Sequence, residues 1–168
     1  IMVVKRLREV RAISGFARIL PYSRGEAEER KAPLFSSDPG WLPAIEMTGE
    51  GVFLRLSEDR LTNWESRRDV ISRAELIDKN LAARSPNLGV QPNQRITPRM
   101  LLIHSLAHGL INQWSLECGY PAAALRERLY VSDSMAGILI YTATTDSAGS
   151  LGGVISLAET SRLAATFV

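Results

Sequence analysis

The stretch Thr97-Pro98-Arg99-Met100-Leu101-Leu102-Ile103-His104-Ser105-Leu106-Ala107-His108-Gly109-Leu110-Ile111-Asn112-Gln113-Trp114 decides how the rest of the chain must fold. Thr97 offers a side-chain oxygen to the orphan amides of a helix start, and Pro98 at the first helical position gives up a donor that has no partner there. Gly119 supplies a left-handed cap and Pro121 stops any continuation. Leu101, Leu102, Leu106, Leu110 and Ile111, with Ile103, Ala107 and Trp114 beside them, spread over nearly all sides, which predicts a largely buried helix. Downstream come the charged turn Leu125-Arg126-Glu127-Arg128-Leu129-Tyr130, the apolar run Gly137-Ile138-Leu139-Ile140-Tyr141, and the glycine-rich Asp146-Ser147-Ala148-Gly149-Ser150-Leu151-Gly152-Gly153. The apolar run predicts a strand, and a helical stretch is expected from Val154 to about Ala165.

Upstream, Ile1 to Val4 reads as a short strand, followed by Lys5 to Gly15 with Arg6, Arg8 and Arg11 interleaved with Leu7, Val10 and Ile13. A second strand is expected from Gly15 to Leu20, ended by Pro21, and a polar, exposed loop from Ser23 to Gly40. Ala44 to Met47 and Gly51 to Leu56 flank Thr48-Gly49-Glu50, a pattern that predicts a hairpin. Ser57 then caps a polar helical segment reaching about Ala83, with a break expected near Ser72, and Pro86 to Asn93 forms a connector. These elements predict an α+β fold in which short strands and a hairpin pack around a long buried central helix. The connector divides the chain into an N-terminal strand, hairpin and helical subdomain (1–92) and a C-terminal core (93–168).

A chain of 168 residues with 45% hydrophobic and 23% charged residues has the composition of an ordinary globular domain, which argues against disorder and a coiled coil. The net charge of +2 and pI near 8.9 permit nucleic-acid contact without requiring it. A lone Cys118 has no disulfide partner in the chain, as suits a reducing cytoplasm, and no run approaches the roughly 18 apolar residues of a membrane span.

His104 and His108 stand four apart, the helical spacing that lets two imidazoles meet one metal ion. Ser105 occupies the place of the general-base glutamate of a zinc protease helix, and Glu117, Cys118, Asp133 and Asp146 have no spacing that predicts a third ligand. The expectation is therefore no metal and no catalytic residue, with His104, His108, Glu127 and Tyr130 forming a buried polar network in which Glu127 pairs with a histidine. The alternatives are an ordinary charged helix turn at Arg126 to Arg128 and a metal-dependent hydrolase using His104 and His108. Lys5, Arg6, Arg8 and Arg11 are either a solvated face or a surface for phosphates or an acidic partner. Gly149, Gly152 and Gly153 either let their loop pack closely or present amides to DNA phosphates. Neither spacing nor residue type matches a nucleotide-binding loop.

The order of motifs, His-Ser-Leu-Ala-His, Glu-Cys-Gly-Tyr-Pro-Ala-Ala, Leu-Arg-Glu-Arg-Leu-Tyr, Ile-Leu-Ile-Tyr and Ser-Leu-Gly-Gly, resembles the domain that closes the MrfA-type DNA-repair helicases. It resembles more closely still the DrmB family of the DISARM phage-defence systems, together with Lys5 to Arg11, Gly15-Phe16 and Ile45 to Phe53. The resemblance implies a non-catalytic, cytoplasmic accessory subunit of an antiviral restriction system that associates with the helicase DrmA and helps the complex engage DNA. The alternative it leaves is the closing domain of a MrfA-type helicase. The family carries zinc-binding cysteines after the Leu-Gly-Gly motif, so no cofactor is expected within this fragment and zinc only from cysteines beyond Val168.

Overall fold

A computed structural model of the chain describes residues 1–16, 32–88, 95–142 and 153–167. It contains a four-stranded antiparallel sheet built from β1 (Met2–Ala12), β2 (Ala44–Arg55), β3 (Leu125–Ser132) and β4 (Met135–Thr142), in the order β1-β2-β4-β3. The helices are α1 (Glu58–Glu65), α2 (Arg68–Leu88), α3 (Pro98–Cys118), α4 (Gly153–Ser156) and α5 (Thr160–Thr166). The α+β architecture and the long helix packed on the strands are those read from the sequence. The sheet draws two strands from residues 1–92 and two from residues 93–168.

α3 starts where its sequence says it must. The Thr97 side chain accepts the Met100 amide at 3.2 Å, and Gly119 closes the other end at φ 69°. Its burial is narrower than the apolar content suggests. Ile103, Ala107, Leu110 and Trp114 are buried, whereas Leu101, Leu102, Leu106 and Ile111 are half-buried and His104 and His108 are exposed. The buried four recur at helical spacing and form one stripe. That stripe meets Val52 and Leu54 of β2, Ile138 and Ile140 of β4 and Leu125 of β3, while Leu61, Val154, Leu157 and Leu163 close the sides. Each such side chain removed from water contributes about 1.5–3 kcal/mol, so this layer is the main favourable term in the fold.

The segment 44–56 is a correction to the expected hairpin: it is one continuous strand. Gly49 and Gly51 are absent from the residues with positive φ and serve close approach instead. A Cβ on Gly49 would stand 1.7 Å from the Thr142 carbonyl oxygen, and one on Gly51 would stand 2.8 Å from that of Ile140. The glycines let β2 pass close against β4, and the true hairpin is β3–β4, paired from Leu125↔Thr142 to Ser132↔Met135.

Leu125 to Tyr130 is likewise strand rather than helix turn. Its alternation puts Leu125, Glu127, Leu129 and Val131 toward α3 and Arg126, Arg128 and Tyr130 on the other face. The helical break falls at Ser66-Arg67, ahead of the expected Ser72, where Ser66 N donates to Thr62 O and Ser66 Oγ to Asn63 O. Ser57 makes no side-chain cap. The expected C-terminal helix is split into α4 and α5. Of the strand expected at 15–20, Phe16 pairs with Ala32 in an isolated bridge and residues 17–20 lie outside the described residues.

One cation locks the helices to the hairpin. Arg99, in the first turn of α3, donates to Glu65 Oε1 at 2.8 Å and to the Ser132 carbonyl at 2.7 Å, and pairs with Glu58 Oε2 at 3.0 Å. Two glutamates of α1 thus offset the cost of a positive charge at a helix N-terminus, and hold the Arg99 guanidinium's pKa above its ordinary range despite partial burial.

Gly49→Ala should destabilise the fold by at least about 3 kcal/mol or prevent folding, because the clash is with backbone that has no rotamer to change. Gly109→Ala, with open space at its Cβ position, should be neutral or stabilising. Denaturant unfolding of the two variants beside the parent checks both.

Candidate functional site

His104 and His108 each follow a buried member of the α3 stripe, Ile103 and Ala107, so they sit on the flank of the helix where it leaves the sheet. Beneath that flank runs β3, at one edge of the sheet, whose helix-facing residues are apolar except Glu127. The helix flank and the strand edge therefore bring three ligand-type side chains together. His104 Nε2 and His108 Nε2 are 2.9 Å apart, and Glu127 Oε1 lies 3.5 Å from each. The two rings meet edge to face, with centroids 4.6 Å apart.

Glu127 and the two histidines stand together in an open setting. The His104 and His108 side chains are 49% and 63% exposed and the Glu127 side chain 23%. Two Nε2 atoms 2.9 Å apart cannot both carry a proton along the line between them: one donates and the other accepts, or a cation stands near both lone pairs. Glu127 Oε2 is buried and has no hydrogen-bond partner among the described residues. An unsatisfied buried acceptor of this kind costs about 1–3 kcal/mol, more when it carries charge.

Tyr130 is not part of the cluster. It lies on the opposite face of the sheet, edge to face with Phe53 at 5.5 Å, and the pair sits over Gly137, where a Cβ would meet the Phe53 ring at 2.7 Å. On β1, Arg8 pairs with Glu46 at 2.7 Å and Arg11 with Glu9 at 3.1 Å, so half of the basic stripe is locally neutralised, while Lys5 and Arg6 are exposed. Gly153 begins α4 and packs against Tyr120 and Cys118; a Cβ there would stand 3.0 Å from the Tyr120 ring. Gly149, Gly152 and Asp146 lie outside the described residues. Glu117, Cys118 and Asp133 do not join the histidines among the described residues.

One buried acid escapes a sequence reading. Glu50, expected in a hairpin turn, is fully buried in β2, and its Oε1 accepts the Val154 amide at 2.8 Å, tying the sheet to α4. Its charge is felt by its neighbours. Burial first, then the charges of Glu117 and Glu50, push the Cys118 thiol up; burial and then Glu50 push the Tyr120 phenol up. The only sequence signal was the glycine on each side of Glu50, which marks a strand pressed against another backbone.

No family model matches the chain. Its sequence does align with a curated bacterial protein over nearly its whole length: 33% identity across 166 residues, 97% of this chain. The chain is similar to the DISARM protein DrmB of Bacillus paralicheniformis (strain ATCC 9945a / NCIMB 11709 / CD-2). It spans 30% of the length of that DrmB, so the likeness concerns one part of a longer protein. The aligned span takes in both halves of the sheet, the long helix and the cluster between them.

With their folded-state pKa values raised, Cys118 and Tyr120 contribute stability that is complete below the ordinary values of 9.0 and 10.0 and is lost as pH rises above them. Alkaline titration followed by far-UV circular dichroism should show stability falling above about pH 9. Cys118 should react with iodoacetamide at pH 8 more slowly than a free thiol, and acceleration over the free thiol would contradict its environment.

Proposed function

We propose that the chain is a non-catalytic, DrmB-like component of a DISARM antiviral system, acting in the cytoplasm by docking onto a helicase of the DrmA kind and helping the complex engage DNA. The observation that carries this reading is the alignment with a DISARM protein over 97% of the chain. A closing domain of a MrfA-type helicase is less favoured because that alignment is to DrmB. Among the described residues no helix is long and apolar enough to cross a membrane.

The surface chemistry of β1 is consistent with docking. Among the described residues β1 is an edge strand, and along its length Met2, Val3, Lys5, Arg6 and Val10 are exposed, as is Ile45 of β2. Unpaired backbone groups at a sheet edge, flanked by apolar and basic side chains, suit strand addition by a protein partner and contact with phosphates. On this reading Lys5 and Arg6 carry the electrostatic share, because Arg8 and Arg11 already have acidic partners.

Pull-down with DrmA and DNA-shift titrations across salt concentrations test the proposal. The Lys5→Glu/Arg6→Glu pair should weaken DNA engagement by the complex roughly ten-fold and flatten its salt dependence, since each lost phosphate contact removes about one unit of the salt slope. Unchanged binding to both DrmA and DNA would contradict the proposed surface, and absence of any DrmA association would contradict the reading itself.

A further inference from the structure

The cluster on the flank of α3 has the dimensions of a metal site. A triangle with sides 2.9, 3.5 and 3.5 Å has a circumscribed radius of about 1.9 Å, so an ion about 0.7 Å off its plane lies about 2.0–2.1 Å from all three atoms. That is the bond length of zinc to imidazole nitrogen and carboxylate oxygen, and the height is that of a tetrahedral centre above one face. We propose that His104 Nε2, His108 Nε2 and Glu127 Oε1 bind a divalent transition-metal ion of the zinc class, with solvent completing the coordination.

The chemistry of the cluster points the same way. The three donor atoms already lie close together, with the two histidine nitrogens 2.9 Å apart. A cation between them removes the need for one imidazole to act as donor to the other. The carboxylate is partly buried, with Oε2 lacking a hydrogen bond among the described residues, and a cation at Oε1 lowers the cost of burying its charge. The donor set of two imidazoles and one carboxylate suits zinc or cobalt(II) and disfavours calcium and magnesium, which take oxygen ligands. The exposure of both imidazoles leaves an open side, so exchange with solvent ions is unobstructed.

Such an ion would pin the helix flank to the edge strand, joining α3 to β3 independently of the apolar stripe. Ser105, next to the first histidine, is no general base, and no hydrolytic step is assigned. The inference does not depend on the docking proposal, because metal binding is read on the isolated chain without DrmA or DNA.

The experiment is titration of the purified chain with zinc chloride by calorimetry, with cobalt(II) as a spectroscopic probe. One equivalent should bind, the cobalt complex should show the intense visible bands of a four-coordinate centre, and zinc should raise the thermal midpoint. His104→Ala, His108→Ala and Glu127→Gln should each lower the affinity at least ten-fold and abolish the thermal shift. The histidine changes are at exposed positions, so circular dichroism should show an unchanged fold. No binding by the parent chain, or binding that survives in His104→Ala/His108→Ala, would overturn the site.

Discussion

The contact between the buried stripe of α3 and the sheet face beneath it is what the remaining structure depends on. Ile103, Ala107, Leu110 and Trp114 are the only fully committed apolar residues of that helix, and they meet strands from both halves of the chain. Small Ala107 among large neighbours lets the helix sit close. From that seat follow the overhang of His104 and His108 above Glu127 and the reach of Arg99 to the β3–β4 hairpin. The other end of the helix is held by Trp114, whose indole donates to Thr166 Oγ1 at 3.4 Å and so anchors α5.

Polar groups buried around this layer act as ties. Glu50 links β2 to α4 through the Val154 amide, and Arg99 links α1, α3 and the hairpin. Removing one partner of such a tie leaves the other desolvated, which is why they specify one arrangement of the elements more than they add net stability. The glycines of β2 perform a related service, since only a strand without Cβ atoms at 49 and 51 can lie close enough to β4 for Glu50 to reach the helix.

What the sequence could say was local. The caps of α3 were legible because Thr97, Pro98 and Gly119 act through their own backbone neighbours. The β2 glycines look locally like a turn because their meaning is set by the Thr142 carbonyl, far along the chain. The charges of Arg126, Glu127 and Arg128 hid the period of two in β3, and half-buried leucines hid the true stripe of α3. For the cluster, the spacing of four places two imidazoles on one helix face, but the carboxylate beside them comes from a strand whose position depends on its pairing with β4. Nothing local to Glu127 announces that convergence.

On this account α3 and the hairpin under it form one cooperative unit. Native-state hydrogen exchange at the amides of Ala107, Leu110, Ile138 and Ile140 tests it most directly. A common opening free energy, equal to that of global unfolding, is the predicted result. Exchange of the α3 amides through a separate, lower-energy opening while the β4 amides stay protected would contradict it.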